Sequence, residues 1–299
     1  MKASCYAALI YILMCHHLSA YASNSSDCGE TDCINVGEWE LGVAIGIGAR
    51  SNPLVDGDVL PLIVLPDIAY YGESFYFDNF EIGYQLLPSN NQSVEVFVKP
   101  NTERAYFSFW HPDNVLLTFT SSPLDGPSTP TFPTIPGVPN EPTKPVQKEI
   151  SVDDVSKRDW AIDAGVRWQY YQPSYRLSAF INTDVSGVYK GTNGGVNVAF
   201  PWRLNEWQFT SSLGAVYKST ALTNYYYGIS IADTKSKDTF QAKGGWQYSF
   251  NTSASYQFSD SWQILLRFEI TQLHSGMYNS PLVKDKQVTS VFSGFVYRF

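Results

Sequence analysis

The chain is short of the residues that nucleic-acid binders, helical membrane proteins and most enzymes depend on. Lys and Arg total 20 of 299 residues against 28 Asp and Glu, a formal net charge of -8. The bases form no clustered stripe, so phosphate neutralisation fails and nucleic acid is excluded as a partner. Cysteine and histidine number 4 each, and GxSxG, HExxH and phosphate-cradling glycine loops are missing. After residue 22 no apolar run approaches the ~18–20 residues of a spanning helix. The longest, LPLIVLP at 60–66, is short and holds two prolines. Aromatics are abundant instead: 8 Trp, 20 Tyr and 18 Phe make 15% of a chain only 16% charged. Such a composition excludes intrinsic disorder.

The amino terminus reads as an address label. Lys2 precedes the apolar stretch YAALIYILMC (6–15), and Ala20-Tyr21-Ala22 is a small-x-small site. This predicts a secretory signal peptide, residues 1–22, cleaved after Ala22. The apolar run is too short for a membrane anchor. Met14 before Cys15 argues against lipid attachment, which wants a small residue there. The processed chain keeps Cys28 and Cys33 (CGETDC) in a short segment, 23–36. An exported compartment is oxidising and permits them to bridge. A metal site is the alternative, but two Cys without a nearby His make half a site.

From residue 37 onward the dominant pattern is alternation. Trp39, Leu41, Val43, Ile45 and Ile47 interleave with Glu40, Gly42, Ala44 and Gly46. The same period of two recurs near 160–170, 175–185, 246–258 and 262–270, and it is the period of a strand. A soluble sandwich also alternates. Three features favour a transmembrane antiparallel β-barrel at 37–299. The runs reach about ten residues, as a tilted spanning strand requires. Trp39, Trp160, Tyr170, Trp202, Trp207, Trp246, Tyr256, Trp262 and Tyr297 sit at run ends, where an aromatic girdle lies. The chain also stops on an alternating strand whose Phe295, Tyr297 and Phe299 resemble the signal read by the barrel-assembly machinery.

Twelve strands are expected, at about 37–50, 58–71, 74–87, 92–100, 159–171, 174–187, 191–203, 205–218, 223–232, 244–258, 261–273 and 287–299, with 10 or 14 as alternatives. Fourteen would add a hairpin of 105–110 and 114–120. Pro61 and Pro66 predict a bulge or break in the second strand. Lumenal charges of both signs, such as Glu40, Arg167, Lys218, Arg267, Glu269 and Arg298, are expected to pair across the lumen.

Between strands four and five lies a long insertion, about 101–158. Within it Pro127, Pro130, Pro133, Pro136, Pro139, Pro142 and Pro145 recur every third residue. Polyproline II has three residues per turn, so these prolines would share one face and extend roughly 55 Å. The run is either a spacer or a docking ladder for another protein. With both termini periplasmic, counting strands in either direction puts 101–158 on the periplasmic side.

Several segments together resemble the MipA/OmpV family of outer-membrane proteins: GEWELGVAIGIGAR (37–50), VLPDIAYYGESFYFDNFEIGYQLL (64–87), SKRDWAIDAGVRWQYY (156–171), DVSG (184–187), TNYYYGIS (223–230) and SPLVKDKQVTSVFSGFVYRF (280–299). They span most of the processed chain; residues about 101–150 depart from the pattern. The resemblance implies a barrel in the outer-membrane lipid of a Gram-negative bacterium. It further implies a scaffold joining a lytic murein transglycosylase to a murein synthase, with a porin-like channel or a surface adhesin as alternatives. The residues themselves offer no catalytic set. His274 has Ser275 beside it and Asp285 nearby, but adjacent strand residues face opposite sides. No catalytic residue, cofactor or metal site is expected.

Overall fold

The computed structural model describes residues 36–87, 89, 91–116, 149–233 and 239–299. Cys28, Cys33 and the proline run Pro127–Pro145 lie outside the described residues, as do residues 1–22. Among the described residues, twelve antiparallel strands close into one barrel. They are β1 (Trp39–Arg50), β2 (Leu60–Tyr71), β3 (Phe75–Asp78), β4 (Glu81–Gln85), β5 (Gln92–Pro100), β6 (Ile162–Gln172), β7 (Tyr175–Asp184), β8 (Thr192–Leu204), β9 (Trp207–Lys218), β10 (Gly245–Gln257), β11 (Trp262–Gln272) and β12 (Gln287–Arg298). β12 returns to β1, with Val43 opposite Tyr297 and Ile47 opposite Ser293. Closure gives each strand a neighbour on both sides, as lipid demands of a spanning backbone, although β3 and β4 cover only part of β2 and β5.

The alternation divides the wall into two surfaces. Ile45, Ile47, Val64, Ile181, Val196 and Phe295 are each more than half exposed. A water-soluble monomer rarely shows so continuous an apolar surface, and here it is the lipid belt. The inward positions are buried and mostly polar or small, among them Glu95, Asp163, Arg167, Asn182, Asn193 and Asn197. One sector of the lumen is apolar: Ala44, Leu62, Leu65, Leu265, Phe292 and Val296 pack together along β1, β2, β11 and β12.

Aromatic pairs stand directly opposite one another across the ladders. Trp39 faces Tyr70 at 5.2 Å, Trp202 stacks on Phe209 at 4.0 Å, and Trp262 meets Tyr297 at 4.9 Å. All three lie toward the rim that carries the chain termini, called here the near rim. Trp246 pairs with Tyr217 toward the far rim. Opposed aromatics stabilise a sheet by about 0.2–1 kcal/mol per pair.

Two of the expected strands differ, and they cancel in the total. Residues 74–87 form not one strand but a short hairpin, β3–β4, which turns at Asn79 (φ 45°) and Phe80 (φ 74°). Positive φ at both central residues is the geometry of a tight two-residue hairpin. Asn79 is anchored there. Its Oδ1 accepts from Ile68 N at 3.1 Å and its Nδ2 donates to Asp67 Oδ1 at 2.7 Å. The carboxamide thus takes the place that the next strand residue would fill. Residues 223–232 are not a strand. Thr220–Tyr227 is a helix, capped by Ser219, whose Oγ accepts from Leu222 N. The irregularity expected in β2 falls instead in β1: Gly46 and Ile47 stand against the single Ile63, while Pro61 and Pro66 pair in register with Ala49 and Val43.

Splitting 74–87 reverses the direction of every strand from β4 to β9. β5 climbs to Pro100 and β6 descends from Ile162, so the insertion 101–161 leaves and re-enters at the far rim. It shares that rim with 51–59, 185–191, 219–244 and 273–286, and lies opposite the termini. The expectation that 101–158 sits beside the termini is corrected. The near rim carries only short connections, such as Pro173–Ser174 and Asn205–Glu206.

Candidate functional site

The insertion begins by crossing the barrel. A 3-10 turn, Thr102–Phe107, is followed by a single-turn helix, α1 (Pro112–Val115). The helix Thr220–Tyr227 is α2, and Ser275–Tyr278 is α3. Residues 101–114 bond to widely separated strands. Asn101 Nδ2 donates to Asp163 Oδ2 on β6 at 2.8 Å. Glu103 accepts from Lys218 Nζ on β9 and from Tyr227 OH on α2. Arg50 at the end of β1 donates to Asn114 Oδ1 and to the Asp113 carbonyl, both at 2.8 Å. A segment tied to β1, β6 and β9 of one closed barrel must run across its interior. It is a plug, and the proposed extra hairpin at 105–110 is absent from the described residues.

Over the plug the far-rim loops build a second apolar core. Leu54, Tyr106, Tyr189, Leu222, Tyr226, Met277, Leu282 and Val288 are among its buried members. Arg158 ties the loops laterally, donating to Asp233 Oδ1 at 2.7 Å and to the Gly228 carbonyl at 2.9 Å. The far mouth is therefore capped by packed side chains.

Below the cap the lumenal charges are matched, but along the wall and not across the lumen as expected. Arg167 forks onto both carboxylate oxygens of Glu81 (2.7 and 2.8 Å), reaches Glu95 Oε1 at 3.0 Å, and lies 4.4 Å from the Phe97 ring centroid. Tyr76 OH donates to Glu81 at 2.8 Å, and Gln169 Nε2 to Glu95 at 2.7 Å. Asp163 gathers Asn101, Asn182 and Tyr189, the last at 2.6 Å. Arg298 faces Glu40 at 3.6 Å, and Arg267 meets Glu269 at 3.2 Å. Charge-assisted, bidentate pairs of this kind fix geometry strongly. The pairing runs within a strand, between strands one or two places apart, and into the plug.

Both histidines among the described residues, His111 and His274, lie toward the far rim. His111 is fully buried and stacks on Trp160 with ring centroids 4.9 Å apart. Burial pushes its imidazole pKa down. His274, at the start of α3, is pushed down to about 4 by burial, with Lys218 acting in the same sense. Neither ring nitrogen of His274 has a hydrogen-bond partner among the described residues. No bond to Ser275 or Asp285 forms, so the residues of the candidate triad are not brought together to activate a nucleophile. No group of three or more potential metal ligands occurs among the described residues.

Phe295, Tyr297 and Phe299 stay on the outward face, beside the β1–β12 closure, and Phe299 N donates to Leu41 O at 3.0 Å. Sequence reasoning missed Arg50, Glu81, Glu103, Asn114 and Tyr227. One local signal pointed to part of this: Pro112 at the first helical position after His111 marks a helix start.

A closed antiparallel cylinder with a lipid-facing apolar exterior and a paired polar interior is a β-barrel of the outer-membrane type. Residues 41–299 match the family described as MltA-interacting protein MipA, and the chain belongs to that family. It is similar to outer membrane protein YiaT of Escherichia coli O157:H7, 20% identical over 237 residues, covering 79% of this chain and 81% of that protein. YiaT of E. coli strain K12 is 22% identical over 153 residues, covering 50% of this chain and 62% of that protein. Among solved structures, the NanC porin has a TM-score of 0.41 at 8% identity, over 87% of this chain and all (100%) of that one. The COG4313 outer membrane channel from Pseudomonas putida F1 has a TM-score of 0.38 at 8% identity, over 91% and 99%.

Proposed function

We propose that this MipA-family barrel works as a closed outer-membrane anchor for cell-wall enzymes rather than as an open pore. The observation that carries the reading is the plug. Residues 101–114 bind β1, β6 and β9, and an apolar core covers the far mouth. A lumen filled in this way favours contact as the mode of action over flux.

In this reading residues 1–22 are removed on export, Cys28 and Cys33 bridge, and both termini face the periplasm. The terminal Phe295, Tyr297 and Phe299 serve as the insertion signal. The partners are a lytic murein transglycosylase, as the family's description suggests, and a murein synthase. They would dock on the near rim, at the short turns and the amino-terminal segment. The insertion that contains the proline run leaves and re-enters at the opposite rim, so the run is given no part in that contact. Capture on the purified barrel from mildly solubilised envelopes is expected to recover a murein hydrolase or synthase. Recovery of neither would overturn the reading.

A second reading has its own support. The strand ends from which the long insertion and four other loops depart all lie opposite the termini, which suits surface attachment. Shortening 120–145 would then abolish attachment while the barrel still folds.

A further inference from the structure

Among the described residues the barrel wall has one seam that no strand closes. β3 pairs with β2 only at Ala69, Tyr70 and Tyr71, and the hairpin ends at Asn79–Phe80. Among the described residues no strand pairs with residues 60–67 of β2 on that edge. This is roughly 25 Å of strand at ~3.4 Å per residue. On the other side β4 pairs with β5 only as far as Val98, and β5 ends at Pro100. Pro66 fits this edge. Ile68 turns its N–H and C=O toward Asn79, so the residue two before it presents its amide to the same open side. Proline, with no N–H, loses nothing there.

An open sheet edge is not tolerated against lipid tails, so something must cover it. α1 packs against β2 and does so. It is a weak stopper. It has one turn, and Arg50 holds it through Asn114 and the Asp113 carbonyl. Around it Arg50 Nε, Arg104 Nε, His111 Nε2 and Asp113 Oδ2 are buried without a hydrogen bond among the described residues. Each such atom raises the cost of the closed state. Just before α1, Phe109 and Trp110 are exposed, as is Phe80 at the hairpin tip. Directly inside the seam, Leu62 and Leu65 of β2 belong to the apolar sector of the lumen. The mouth above is capped, so the seam leads from lipid to that sector without passing through water.

We propose that the seam between β2 and β5, stopped by α1, is a lateral entry by which an uncharged apolar molecule passes from the bilayer to Leu62 and Leu65. α1 swings from β2, the molecule lies along the leucines, and the polar half of the lumen stays paired. This holds whether or not the barrel also binds cell-wall enzymes.

The test uses the full-length processed chain refolded in liposomes, with an iodophenyl trifluoromethyl diazirine that partitions into lipid. After photolysis, adducts are mapped by peptide mass spectrometry. Adducts are expected on Leu62 or Leu65 as well as on lipid-facing residues such as Ile63 and Ile47. Arg50→Ala, or Asn114→Ala if the first fails to fold, should raise lumenal labelling roughly tenfold by removing bonds that hold α1. Labelling confined to lipid-facing residues in native chain and variant alike would overturn the proposal. So would equal labelling of Leu62 and Leu65 by a charged, water-soluble diazirine, which would put the route at the mouth.

Discussion

Lys218 and Glu103, 115 residues apart in the chain, meet inside the barrel, where the ammonium of β9 donates to the carboxylate of the plug. Glu103 is 1% exposed and also accepts from Tyr227 OH. The pair links the insertion to β9, four strands round the barrel from β1. Removing one partner leaves the other charge buried and uncompensated, which costs more than the pair itself contributes. Glu103→Ala is expected to lower stability by about 3–5 kcal/mol, read as an earlier loss of the heat-modifiable folded band. Glu103→Leu combined with Lys218→Met should recover most of that loss, since matched apolar replacement removes both buried charges.

If the plug blocks flow, its removal must create flow. Native protein in planar bilayers is expected to show no steady conductance. Deletion of residues 102–115 should give discrete channel openings, because the lumenal pairs that remain sit on the wall. Conductance in the native chain equal to that of the deletion would argue that the segment does not obstruct the lumen.

His274 makes the far mouth sensitive to acid. Its pKa in the folded chain is about 4, against 6.5 for a free imidazole. The unfolded chain therefore takes up its proton at higher pH than the folded one. The neutral ring's contribution is complete above about pH 6.5 and is lost as pH falls through about 4, on the order of 3 kcal/mol. Asp233 behaves likewise at lower pH. Burial opposes its charge, but hydrogen bonds from Ser230 and Arg158 bring its pKa to about 2. Hydrogen exchange of residues 273–283 should quicken between about pH 6.5 and 4, and His274→Phe should flatten that dependence.

Gly83 is a position where size alone decides. A Cβ there would come within 2.1 Å of the Tyr76 ring, which lies over it from the facing strand. Gly83→Ala must displace the ring and with it the bond from Tyr76 OH to Glu81. A cost of about 1–3 kcal/mol is expected. Tyr76→Val in the same chain should return part of the stability in a urea titration, because the clash is with the ring and the ring is gone.

Strand directions also make a sided statement. With the termini in the periplasm, a protease site placed within 120–145 is expected to be cut in intact cells. A site placed at Asn205–Glu206 should be cut only after the envelope is opened. The reverse pattern would mean that the barrel sits the other way up.

Much of the wall was legible in the residues because one face of each strand meets lipid and the other does not. That contrast repeats every second residue and needs no partner to be read. The hairpin at Asn79 was illegible for the same reason: alternation carries on through Tyr76, Asp78 and Phe80, and no glycine marks the turn. Residues 223–232 misled through Tyr225, Tyr226 and Tyr227, which favour strands, although Ser219 and Gly228 bracket a helix. The plug was out of reach. Its fixed points, Glu103 with Lys218 and Arg50 with Asn114, are long-range pairings that carry no local pattern.

Asn79 has one more effect, on shape. Because its side chain ends the β3–β4 pair partway up, twelve strands circle the barrel at its base but ten reach the upper edge. Above the hairpin, β2 keeps a ladder partner on the β1 side alone among the described residues. The upper wall there therefore holds by one row of hydrogen bonds where every other spanning strand has two.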